Sequence, residues 1–379
     1  MDRRRCIQGA CALAFPGLMH PGARAADGVT EREIVLGQSG ILSGPLGGAI
    51  KAMTAGVQAA FEAQNAAGGV NGRQLRLVSL DDELDPAKAV ANYKRLLQGP
   101  ERVLAMFACV GSATTAAAAP VLQESGAVMV GGYAVADSVR QKAGKRAYFV
   151  RATNRREADL LVRQLTTIGI TQIAMAHLDN PGGTEALGLL QEALKAHQLQ
   201  PRAAAAIKGD GSNVAEAAKT LADAQPQAVI MYLGGKLPGQ LMKAVRDLGA
   251  RPGFYGMSIV SGELAAQMLG EGARGLAIAQ VVPYPWWNGS TELQPYQRTL
   301  AKSLAGVNYY TLEGWINAQV MMEALRRCGR DLTRERLAAT MDALKMRTTG
   351  LEIDFSGEGN TGSRFVELVQ VRADGSFIR

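Results

Sequence analysis

The sequence predicts an α/β protein of two doubly wound parallel-sheet lobes joined by three crossovers. Three observations predict it. A chain of 379 residues, 47% hydrophobic and 20% charged, with 44 Gly and 14 Pro, is large enough for two domains and has the composition of neither a disordered, a collagenous nor a coiled-coil protein. From Ile34 onward, short β-branched runs alternate with amphipathic stretches, the pattern of parallel strands covered by helices on both faces. That series occurs twice over segments of similar size.

The first series places strands at 34–37, 75–80, 103–107, 128–131 and 148–151, and helices at 48–66, 86–97 and 114–124, each helix with apolar residues at three-to-four spacing and Gly near an end. The second places strands at 173–177, 202–207, 228–233, 254–256 and 276–281, with helices starting near Gly183, Val214, Pro238 and Gly262. After Pro283 the pattern changes to three helices, 291–304, 311–328 and 333–344, then to a final pair of strands, 351–355 and 365–372, with an Asp374-Gly375 turn. This tail is too short for a third domain, so it is expected to complete both lobes. Lobe 1 is then 30–150 plus 283–353 and lobe 2 is 151–282 plus 354–379, with crossings near Arg151, Val282 and Asp354 and a ligand cleft between the lobes.

Residues 1–25 read as an export signal. Arg3, Arg4 and Arg5 form the charged start, 6–18 a short apolar stretch, and Ala23-Arg24-Ala25 a small-x-small cleavage site, with processing expected after Ala25. The arginine run is compatible with either general or twin-arginine export. The expected compartment is the periplasm. The net charge of +7, from 41 basic and 34 acidic residues, is spread along the chain and forms no nucleic-acid arm beyond the first residues. Outside the N-terminus no run approaches the roughly 18 apolar residues of a membrane helix, so a soluble mature chain is expected. The two cysteines of the mature chain, Cys109 at a strand end and Cys328 near a helix end, are expected to be buried free thiols.

Two groups of residues carry a family resemblance. Residues 60–73, AFEAQNAAGGVNGR, form a helix closed by Gly68 and Gly69, with Asn71-Gly72 turning into a strand; Asp81, Asp82 and Asp85 then form a solvated turn and helix cap. With these motifs the mature chain resembles the periplasmic solute-binding proteins of ABC importers, in the leucine/isoleucine/valine-binding family with its type I two-lobe fold. The resemblance implies that loops at strand ends border the cleft, as open α/β sheets also require.

On that basis Gln38, Ser39 and Leu46 in the first loop are candidate ligand-binding residues, although Ser39 and Leu46 read equally well as a plain Gly/Ser turn. Gly111 and Ser112 open a helix whose N–H groups and dipole make an anion site; the family's hydroxyl residue there holds a ligand carboxylate, while the alternative is a bare helix cap. Tyr133, Ala134 and Val135 fill the next loop, and Val135 stands where amino-acid binders carry a Thr that contacts the ligand ammonium. In the second half Tyr232 matches a cleft tyrosine, and Ser258 stands where the family's acidic residue completes the ammonium site. Glu263 or Glu313 could supply the missing charge. With neither the Thr nor the acid in place, a carboxylate with an apolar or aromatic body, or a small amide, is the expected ligand over an α-amino acid, because a desolvated ammonium needs a carboxylate.

Enzyme chemistry finds no support. His177 and His197 lack metal-ligand spacing, no nucleophile elbow or Walker loop occurs, and Gly270–Gly275 and Gly357–Gly362 match Gly-x-Gly-x-x-Gly without the strand before and helix after that dinucleotide binding needs. The aromatic run at 284–287 is expected to cover a domain edge. The sequence therefore points to a binding protein without catalytic residues, cofactor or metal, monomeric when mature, whose partners are a small-molecule solute and the permease subunits of an ABC importer. It predicts no nucleic-acid partner. The alternative is a receptor of the same fold that controls a regulator.

Overall fold

The structure is a computed structural model and describes residues 27–44, 47–100, 102–133 and 135–379; the expected export signal, Leu46 and Ala134 lie outside the described residues. The chain opens with β1 (Glu33–Gly40), α1 (Gly47–Ala66), β2 (Gln74–Asp81), α2 (Pro86–Gln98), β3 (Ala105–Phe107), α3 (Ser112–Ser125), β4 (Met129–Val130), α4 (Asp137–Lys142) and β5 (Ala147–Tyr148). These strands pair in the order β2-β1-β3-β4-β5, all parallel. Local chemistry sets the boundaries. Asp85 caps α2 by accepting from the Lys88 amide at 2.8 Å, and Pro86 takes the first helical position, where its missing N–H costs nothing. After α1, Gly69 has φ +76° with its Cα against the Arg73 carbonyl, a place no Cβ fits. Asp82 departs from the expected solvated turn: it is buried, accepts from Ser39 Oγ at 2.7 Å, and burial raises its carboxyl.

The chain continues through α5 (Asn154–Thr167), β6 (Ile173–Leu178), α6 (Pro181–Ala196), β7 (Ala204–Ile207), α7 (Val214–Ala224), β8 (Ala228–Tyr232), α8 (Leu237–Asp247), β9 (Gly253–Gly256), α9 (Gly262–Leu269) and β10 (Ala277–Gln280). It then forms α10 (Gln294–Leu300), α11 (Tyr309–Cys328), α12 (Arg334–Asp342), β11 (Lys345–Thr348), β12 (Leu351–Asp354), β13 (Glu367–Val371) and β14 (Phe377–Ile378). The second sheet runs β14-β13-β10-β9-β8-β6-β7, with β13 and β14 antiparallel and the rest parallel. The two strands expected to close the chain do not pair with each other. β12 forms a separate hairpin with β11, and β13 joins the second sheet, where Asp374-Gly375 makes a turn into the unforeseen β14.

The tail serves both sheets. Its helices return to the first: α11 lies along α1 in the most extensive helix-helix contact, and the Tyr148 hydroxyl donates to Asp342 at 2.6 Å. Gly56 and Gly314 make the α1–α11 approach possible, since a Cβ at either would sit about 2 Å from a backbone oxygen of the other helix. Capping by Asn308 and Thr311 in a reciprocal box fixes where α11 begins. Trp286 stacks on Phe377 at 5.5 Å and Tyr284 donates to the Phe377 carbonyl, so the aromatic run covers the edge strand β14. Cys109 and Cys328 are free and buried, and burial pushes the Cys109 thiol up to about 11.

Candidate ligand-binding site

Both parallel sheets have the same local order, 2-1-3-4-5, which reverses direction between their first and third strands. Open α/β sheets bind ligands outside the carboxyl ends of the strands at such a switch point. Here the two switch points face each other. A cavity of about 230 Å³ lies between them, walled by Ile41 after β1, Val110 to Thr114 after β3 and Tyr133 after β4 on one side. Leu178 and Asn180 to Gly182 after β6, Tyr232, Gly234 and Gly235 at the end of β8, and Ile259 after β9 form the other; Ala49, Ile50 and Leu84 complete the wall.

Two helix N-termini meet across this cavity. Gly111, at φ +94°, turns the chain from β3 into α3. Ser112 is the first residue of α3, and its Oγ accepts from the Ala136 amide at 2.9 Å, which ties α3 to the neighbouring strand-end loop. Opposite, Asn180 caps α6 by accepting from the Gly183 amide at 2.9 Å, with Pro181 next. A Cβ at Gly182 would lie 3.3 Å from Ser112 Oγ, so the two helix starts are in contact range across the cleft. First-turn N–H groups have no partner within their own helix, and the dipoles of α3 and α6 both place positive potential here. Among the described lining residues none carries a charge, and most are aliphatic or aromatic. Burial pushes the Tyr232 hydroxyl up to about 12 and raises that of Tyr133 as well, so both rings face the cavity as neutral phenols.

A cluster of charges lies directly behind Tyr133. The buried Arg151 guanidinium stacks on the Tyr133 ring at 4.8 Å and lies 3.7 Å from Glu157 and 3.4 Å from Glu313. Arg151 also donates to Ser258 Oγ. Glu157 accepts from the Ser258 amide at 2.6 Å and from its hydroxyl at 2.9 Å. Burial raises both carboxyls, against the pull of Arg151. Burial alone would lower Arg151; Glu313 and Glu157 overcome it and hold the guanidinium ionised above its ordinary value.

Of the sequence candidates, Gly111, Ser112, Tyr133 and Tyr232 line the cavity. Four others do not. Gln38 is fully buried beneath it, donating to the Ala108 carbonyl and accepting from Thr54 and Ser79. Ser39 is spent on Asp82 and Asn92. Val135 packs in the core beside Phe149, and Ser258 belongs to the Arg151 cluster. Neither Glu313 nor Glu263 lines the cavity: Glu313 faces Arg151, and Glu263 is half-buried beside Ser261 with its carboxyl raised by desolvation. Sequence reading passed over Ile50, Leu84, Leu178, Asn180 and Ile259 as site residues. For Asn180 a signal existed, because Asn-Pro-Gly-Gly directly after a strand is another helix start at a strand end.

Two doubly wound lobes with a shared apolar cavity at paired switch points define a two-lobe solute-binding protein. The family model for periplasmic binding protein matches residues 33–376, and the chain belongs to that family. It is 24% identical to the Leu/Ile/Val-binding protein of Escherichia coli (strain K12) over 285 residues, 73% of each chain. A substrate-binding periplasmic protein from Ralstonia solanacearum superposes with a TM-score of 0.85 at 28% identity, covering 91% of this chain and 99% of that one. A solute-binding protein of an ABC transporter from R. palustris, in complex with benzoate, has a TM-score of 0.80 at 17% identity, over 91% and 95% of the chains. Proteins of this kind bind solutes and are not enzymes. Family membership implies a periplasmic location and a small-molecule ligand.

Proposed function

We propose that this chain is the exported solute-binding component of an ABC importer of the branched-chain amino acid type, and that it binds a small carboxylate with an apolar body and no ammonium group. Residues 1–25 act as the export signal. The lobes, 30–150 with 283–353 and 151–282 with 354–379, close on the ligand by hinge motion, and the closed monomer is what the permease subunits engage.

One observation carries the ligand class: the cavity lies between two helix N-termini, and its described lining residues include no carboxylate. An ammonium placed there would lose its hydration and gain no charge-assisted partner, whereas a carboxylate would gain both dipoles and first-turn amides. The aliphatic wall and two phenol rings suit a branched or aromatic body. The cavity is below the roughly 300–1,000 Å³ of drug-sized pockets, which favours a ligand of a few carbons over a long chain. The R. palustris protein of the same fold holds benzoate, which brings aromatic acids into the test, while the name of the E. coli relative points to branched amino acids.

Calorimetric titration of the mature protein with leucine, 4-methylpentanoate and benzoate tests the reading. The expected order places at least one of the two ammonium-free acids well ahead of leucine. Tighter binding of leucine than of both would overturn it.

A further inference from the structure

The cavity wall explains why an ammonium gains nothing, but the cluster behind Tyr133 goes further. Two carboxylates, Glu157 and Glu313, are buried beside the guanidinium that lies on Tyr133, whose ring borders the ligand space. Left unpaired they would draw a cation toward the cavity. Each instead has Arg151 as its ion-pair partner, at 3.7 and 3.4 Å, and Ser258 supplies Glu157 with two further hydrogen bonds. Arg151 is itself not part of the cavity wall; its guanidinium lies on the face of Tyr133, whose ring borders the cavity. Its Nη1 faces Glu313 and its Nη2 faces Glu157, so the guanidinium on the ring offsets part of the negative charge that the two carboxylates would otherwise project.

We infer that Arg151 is a specificity-determining, positioning residue: it offsets the charge of Glu157 and Glu313 beside Tyr133, so that these buried carboxylates do not draw an ammonium into the site and carboxylates are selected over ammonium-bearing analogues. The inference rests on the anionic-ligand reading above and names the group responsible for it. It makes a charge-specific claim. A residue that only supports the fold would weaken every ligand alike, whereas Arg151 should discriminate among ligands of one shape and different charge.

Three ligands with the same five-carbon branched body test this: 4-methylpentanoate, the neutral 4-methylpentanamide, and leucine. Arg151→Met should lower the preference for 4-methylpentanoate over leucine by about tenfold while leaving the amide within about twofold. Arg151→Lys, which keeps the charge, should retain the preference. Glu313→Gln, near-isosteric and leaving Arg151 in a one-to-one pair with Glu157, should raise it. An unchanged preference in folded Arg151→Met would overturn the inference while leaving the ligand class intact. If Arg151→Met does not fold, Glu313→Gln decides alone, and a preference that stays constant or falls would overturn it. A wild-type preference for leucine would overturn the ligand reading and this inference together.

Discussion

In front of Tyr133 the walls are mostly apolar and uncharged; behind it a guanidinium lies on the ring, and two carboxylates pack against that guanidinium out of water. The front face owes its chemistry to backbone, through the N-termini of α3 and α6. Side chains drawn from three separate parts of the chain build the rear: Arg151 from the first crossing, Glu157 from α5 and Glu313 from α11. Potential supplied by backbone dipoles is insensitive to most side-chain changes, whereas a buried ion cluster fails when any one partner is removed. The front should therefore tolerate mutation with graded losses in affinity, and the rear should respond with losses in stability.

The largest effect should come from the rear. Glu157→Ala removes the acceptor of both Ser258 donors and one of the two ion pairs of Arg151, and urea unfolding should show a loss of about 2–6 kcal/mol. A loss under about 1 kcal/mol, the range of exposed pairs, would erase the contrast. Next comes Ser112→Ala at the front, expected to weaken a carboxylate ligand by about 1.5–3 kcal/mol, roughly ten- to a hundredfold by titration, with a much smaller change in unfolding midpoint. Unaltered affinity would remove Ser112 from the anion site.

A smaller effect belongs to the mouth of the cleft. Ser138, through its amide at 3.0 Å and its hydroxyl, donates to the Glu185 carboxylate, joining α4 to α6 across the lobes. Glu185→Ala should cost about 0.5–1.5 kcal/mol in ligand affinity and nothing in the stability of either sheet, the outcome expected if hinge closure on the ligand makes this contact. Equal loss from ligand-free stability would show that it is a static brace.

The smallest effect is at the surface. The Ser356 hydroxyl and amide, with Lys345, hold the Asp354 carboxyl down to about 2. Its contribution is present above the ordinary carboxylate range and is lost as pH falls from about 4 to about 2, so Asp354→Asn should flatten the acid limb of stability there. Glu157 and Glu313, raised by burial, act in the opposite sense: their share is fullest below the ordinary range and declines as pH rises through their raised values.

The layered architecture was legible because its signals are local. Strand positions from Ile34 to Val281 follow from β-branched runs, and most helices from apolar spacing and caps. α5 was also readable, since Glu157, Ala158, Leu161, Val162 and Leu165 recur on one face, yet its charged exposed face masks them. β11, the sequence Lys-Met-Arg-Thr, has no pattern of its own and exists only because β12 pairs with it. At the site, the helix starts at Ser112 and Asn180 are written in short motifs. Gln38 and Ser39 misled for a physical reason: polar residues after an apolar strand signal a cleft only if nothing inside satisfies them. Here Thr54, Ser79, Asp82 and Asn92 do so from as far as 53 residues away. The Arg151 cluster is likewise invisible locally, because its carboxylates come from distant segments.

The glycine contact between α1 and α11 has a bearing on how the molecule is made. Every strand of the first sheet has been synthesised by residue 148, but the helix that seals α1 is complete only at residue 328. The second sheet waits longer still, for β14 at 377–378. Domains usually mature one after another as the chain emerges, the N-terminal one first. That sequence is closed to this protein: a nascent chain that has reached only residue 190 holds two unfinished layers, each missing a piece that lies beyond residue 308. Its folding is therefore a late, whole-chain event, and a truncation that removes only the last helices and strands should cost both lobes at once.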